Sequence, residues 1–70
     1  MQKLEKDILA TIRNHPEKRI SYDEVLEKLL NPESVSTINH ALNKLVQEGF
    51  LRQFRATRDG RKQNHYRLIE

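Results

Sequence analysis

Apolar residues recur in this chain with a helical rhythm over residues 1–49 and an alternating one over residues 50–70. Leu4, Ile8 and Ile12 stand at i, i+4 and i+8, and Leu9 widens the stripe, so Leu4–Asn14 reads as a first helix. Glu5 and Asp7 fall in its early turns, where the helix dipole favours acids, and Pro16 stops it. Arg19–Ser21 reads as a very short strand. Ser21 with Glu24 three positions later forms a capping box, and Ile20 with Val25 a hydrophobic staple, so a second helix starts here. Val25, Leu26, Leu29 and Leu30 give it an apolar face, and Pro32 ends it near Leu30. In the stretch Ser34–Phe50, Ile38, Leu42, Leu45 and Val46 form a single stripe. Ser34 or Ser36 can cap this third helix, and Gly49 stops it by taking the left-handed conformation cheaply.

After Gly49 the period falls to two. Leu51–Thr57 reads as a strand and Lys62–Ile69 as its return. Asp59-Gly60 between them is a strong hairpin signal, because both turn residues need positive φ. On the return strand Tyr66 and Leu68 share one face, and His65, Arg67 and Ile69 the other. Phe50 and Tyr66 are assigned to the core with Leu42 and Leu45. Phe54, flanked by Arg52 and Arg55, is left open between core and stacking platform.

Seventy residues make one domain, residues 1–70, with a thin core. The chain has no cysteine, so it holds no disulfide framework and no thiolate metal site. No apolar run approaches the roughly 20 residues of a membrane span. The N-terminus mixes acids and bases too early for a secretory signal. These features read as a soluble intracellular protein, cytoplasmic (at the nucleoid) or nuclear, with no membrane partner.

The net charge of +3 is unevenly spread. Residues 1–49 hold seven Lys/Arg against eight acids, and residues 50–70 hold six against two. Five of those last six cations are arginine, which suits phosphate recognition better than plain solubility. The polar face of the third helix is also distinctive. Ser36, Thr37, Asn39, His40, Asn43 and Gln47 are short or planar side chains that both donate and accept hydrogen bonds, with Lys44 beside them and offset by Glu48. Such groups can read base edges in a DNA major groove.

Helix, short strand, helix, helix, strand, turn, strand is an order that resembles the winged-helix family of DNA-binding domains. The resemblance rests on the third helix ending in Gln-Glu-Gly-Phe-Leu, the Asp-Gly-Arg hairpin tip and the terminal Tyr-Arg-Leu. Thr-Arg-Asp-Gly-Arg is similar to the wing of MarR-type regulators. The fold it implies is α+β, a winged helix-turn-helix with a three-helix core and a C-terminal two-stranded hairpin. The function it implies is sequence-specific binding of double-stranded DNA, as a transcriptional regulator. Ser36, Thr37, Asn39, His40, Asn43, Lys44 and Gln47 would enter the major groove, with Asn43 best suited to a bidentate adenine contact. Arg55, Arg58, Arg61 and Lys62 would hold phosphates or enter the minor groove. The extra helices with which MarR-type regulators dimerise are absent, so a weak homodimer or a protein partner is expected. Ser-Val-Ser-Thr-Ile followed by Gln-Glu-Gly is similar to the peptide-binding winged helix of the replication protein A middle subunit. It supplies the alternative, a protein–protein interaction module of a replication, transcription or assembly complex.

The residues carry no enzyme signature. His15, His40 and His65 lie on different elements, and no His/Cys/carboxylate cluster has metal spacing. Gly49 and Gly60 are the only glycines, so there is no phosphate loop. Neither a cofactor nor a metal is expected.

Overall fold

The computed structural model describes residues 1–69. Its elements are helix α1 (Lys3–Asn14), strand β1 (Arg19–Ser21), helices α2 (Tyr22–Leu29) and α3 (Val35–Gln47), and strands β2 (Leu51–Arg58) and β3 (Arg61–Leu68). Among the described residues the architecture is α+β, three helices packed on one antiparallel sheet of order β1-β3-β2.

Local chemistry sets most boundaries. Ser21 accepts the Glu24 N–H at 3.2 Å and Glu24 accepts back from the Ser21 N–H at 3.4 Å, the expected capping box. Of the two candidate caps of α3 it is Ser34 that serves, accepting the Thr37 N–H at 3.2 Å. At the other end Gly49 has φ +84°. The Gly49 N–H reaches the Val46 carbonyl at 3.1 Å and the Phe50 N–H the Leu45 carbonyl at 2.9 Å, a Schellman stop. Asp59 and Gly60 sit at φ +54° and +74°, so β2 and β3 are joined by the two-residue turn that their twist favours.

Ile8, Leu9 and Ile12 of α1, Val25 of α2, and Ile38, Leu42 and Leu45 of α3 bury their stripes against Ile20, Leu51 and Tyr66 of the sheet. Leu45 is fully buried, as its place in the stripe requires. Register then decides the rest. Ile20 pairs with Tyr66, and β2 pairs with β3 from Leu51↔Leu68 to Arg58↔Arg61. Side chains alternate across a sheet, so Leu51, Gln53 and Arg55 share the near, core-bearing face with Lys62, Asn64 and Tyr66. Arg52, Phe54 and Arg58 share the far face with Arg61, Gln63, His65 and Arg67.

One expectation fails here. Phe50 is 42% exposed rather than core, because Leu51 takes the core side and its neighbour is turned away. His65 lies on the face opposite Tyr66, as alternation places it, and is buried there. Ser21 lies opposite it across β1, and the Phe54 ring stacks on it at 5.5 Å with planes 24° apart. The open assignment of Phe54 thus resolves as a half-buried lid on His65.

Candidate nucleic-acid interface

Helix α3 and the hairpin converge on one concave polar surface. Asn39 and Asn43 from α3 face Gln53 and Arg55 of β2 and Arg61, Lys62 and Asn64 of β3 across a cleft of about 410 Å³. Tyr22 and Tyr66 complete its lining. Burial holds the Tyr66 phenol above its ordinary range, against an opposing hydrogen bond from Asn64 and with Tyr22 adding to the rise. Arg55 and Lys62 reach the cleft because the two-residue turn pairs Arg55 with Asn64 and places Lys62 on the same face.

The Tyr22 hydroxyl donates to the Asn39 Oδ1 at 2.6 Å. That separation suits O–H···O and is short for N–H···O, and the Asn39 amide nitrogen forms no hydrogen bond with another described side chain. Asn43 is exposed, and its amide takes part in no hydrogen bond with another described side chain.

The remaining sequence candidates are placed elsewhere. Thr37, His40 and Lys44 border a second, smaller hollow with Gln2, Leu4 and Glu5 at the start of α1. Thr37 is tied to the cap through its hydroxyl, 2.9 Å from that of Ser34. Lys44 is not offset by Glu48. Its Nζ lies 3.7 Å from Oε2 of the buried Glu5, whose other oxygen accepts the Gln2 N–H at 2.8 Å. That backbone hydrogen bond, with Lys44, holds the Glu5 carboxyl below the usual carboxylate range despite its burial. Ser36 and Gln47 are exposed and border neither hollow.

The hairpin cations divide by face. Arg58 turns back from the tip, with its guanidinium 3.3 Å from the Ser21 hydroxyl and 3.7 Å from Glu24. Glu24 also meets His15 at 3.1 Å. Burial pushes the Glu24 carboxyl up, but hydrogen bonds from Ser21 and His15 and the Arg58 charge outweigh it, leaving a net depression. Arg58 is therefore a latch between hairpin and body. Arg61 borders the cleft and bonds Asp23 at 3.3 Å, while its side chain stays 71% exposed.

Sequence reasoning missed Gln53, Gln63 and Asn64, and weighed Tyr22 only as a stacking platform or core residue. Gln53 and Asn64 were open to discovery, since they share a strand face with Arg55 and Lys62. Gln63 was not. Its amide accepts the Asp23 N–H at 2.9 Å and donates to the Asp23 carboxylate at 3.2 Å, a contact across forty residues of chain. Among the described residues no group of three or more His, Cys, Asp or Glu side chains is placed to hold a metal ion, and no helix is long and apolar enough to cross a membrane. No family model, no curated protein and no solved structure matches this chain.

Proposed function

We propose that the chain is a winged helix-turn-helix domain that binds double-stranded DNA, with α3 in the major groove and the β2–β3 hairpin as the wing on the adjoining backbone. The observation that carries this reading is the shared cleft. Amides that can read base edges, Asn39 and Asn43, stand across it from cations suited to phosphate, Arg55 and Lys62. The element order and the sheet are compatible with such a domain, and the +3 net charge is drawn from the same C-terminal third. A regulator of transcription is the role that best fits sequence-specific binding by so small a domain. One copy offers a small interface, so tight specific binding needs a second copy or a partner.

The test is a salt titration against a pool of random duplexes, followed by selection of preferred sites. Arg55, Lys62 and the exposed Arg61 are the cations that meet phosphate, so the log–log slope should be about −2.7, at ~0.9 per contact. Asn43→Ala should flatten the sequence preference while non-specific binding persists. Failure to bind any duplex even at low salt overturns the reading and leaves the α+β fold untouched.

A further inference from the structure

The far face of the sheet carries a second surface that the duplex cleft does not use. The register lines up Arg19, Arg67 and Arg52 side by side across all three strands. Like charges set directly opposite one another on a sheet disfavour folding. Only Arg19 has an acid, Glu17 at 3.2 Å, and among the described residues Arg52 and Arg67 form no ion pair. Glu17, Lys18, Arg19, Arg67 and Leu68 line a hollow of about 490 Å³ beside this row.

The next row is apolar. The Ile69 N–H donates to the Phe50 carbonyl at 3.1 Å, which continues the ladder by one pair beyond Leu51↔Leu68. Alternation puts both side chains on the arginine side. They are 42% and 54% exposed, among the largest apolar groups open to solvent here. Arginine beside aromatic and aliphatic groups is a composition that protein interfaces favour.

We infer that this row is a docking surface for an acidic segment of a partner protein that also carries large apolar side chains. Charge complementarity selects the acids, which meet Arg52 and Arg67, and the Phe50–Ile69 pair takes the apolar groups. A second copy of this chain is a poor occupant, since two-fold pairing through this face sets one arginine row against another. A phosphate backbone satisfies the arginines but leaves Phe50 and Ile69 uncovered. The surface stands independently of the duplex reading, because the pleat aims it away from Asn43 and Arg55.

The experiment uses the ¹⁵N-labelled protein and four probes: a short synthetic peptide alternating Glu/Asp with Leu/Phe, a polyglutamate of equal length, a single-stranded oligothymidine, and a random duplex. The mixed peptide should shift the amides of Phe50, Arg52, Arg67 and Ile69 and spare Asn39 and Asn43. Arg52→Glu with Arg67→Glu should weaken it about tenfold or more, since two exposed ion pairs become repulsive. Phe50→Ser with Ile69→Ser, read with the mixed peptide alone, keeps the test open should the charge reversal unfold the chain. Equal binding of polyglutamate, peptide shifts confined to the α3 cleft, or stronger shifts on this row from either nucleic acid each overturn the inference. Loss of duplex binding with the peptide site intact counts against the DNA reading alone.

Discussion

Arg55 and Lys62 differ from Arg58 and Arg61 in one respect that outweighs their shared chemistry: the face of the hairpin on which they stand. The first pair projects over the near face, beside Asn43 and Asn64, and neither forms an ion pair among the described residues. The second pair projects over the far face, where the start of α2 presents Asp23 and Glu24. Cations on one short ribbon therefore differ in duty: Arg55 and Lys62 are open to a ligand, Arg58 binds the ribbon to the body, and Arg61 is held by Asp23 yet stays largely exposed beside the cleft. Net charge along a sequence says how much positive potential a hairpin carries, and the pleat says which part of it is available.

The difference between faces should be largest in stability. Leu51, on the near face, is 1% exposed, and Leu51→Ala should cost about 2–5 kcal/mol, a large part of what a domain this small has. Ile69→Ala on the far face should stay within ~0.5 kcal/mol. Urea midpoints compare the two, and similar losses would mean that the faces are not divided as described.

Next comes duplex affinity. Arg55→Ala with Lys62→Ala should reduce the salt slope by about 1.8, the value for two lost phosphate contacts. Arg58→Ala with Arg61→Ala should reduce it by no more than about 0.9, because of the two only Arg61 borders the cleft and stays largely exposed. Equal reductions from the two double variants would erase the contrast.

The latch can also be opened. Glu24→Gln keeps a capping-box side chain but removes the charge that holds Arg58 and His15, at a cost of about 1 kcal/mol at neutral pH. It should steepen the duplex salt slope by up to about 0.9 as Arg58 is released. The pH dependence has a definite sign. Folding depresses the Glu24 and Glu5 carboxyls, so the unfolded chain binds more protons in the window below their ordinary value near 4.3. The stability they contribute is present above that value and is lost as pH falls through the depressed one. Acid titration of Glu24→Gln should show a shallower loss there than the parent chain, and an unchanged acid limb would refute the assigned direction.

The smallest effect belongs to Tyr22→Phe. It removes the hydroxyl that fixes the Asn39 amide and should loosen preference at one base position in site selection. Affinity for random duplexes and the salt slope should not move.

Much of this arrangement was legible because its causes are local. Ser21 with Glu24, Gly49 and Asp59-Gly60 each satisfy their own backbone, and the stripe of Ile38, Leu42 and Leu45 needs only helical period. What could not be read is where one element covers another. Alternation puts His65 opposite Tyr66, but only the packing of β1 and the Phe54 ring buries it. Arg58 looks like any other tip arginine until Glu24 lies within reach. Lys44 has Glu48 at helical spacing, and still takes Glu5 from a different helix.

The Gln63 amide has a consequence for any duplex that enters the cleft. By gripping both the main chain and the carboxylate of Asp23, it fixes the hairpin to the first turn of α2. Helix α3 follows α2 after a short turn, so the span between the proposed reading helix and the wing becomes a fixed gauge. On the DNA proposal, adjustment then falls to the nucleic acid. Sequences whose groove width already suits the gauge, or whose flexible pyrimidine–purine steps let them reach it cheaply, are favoured even at base pairs that no side chain touches.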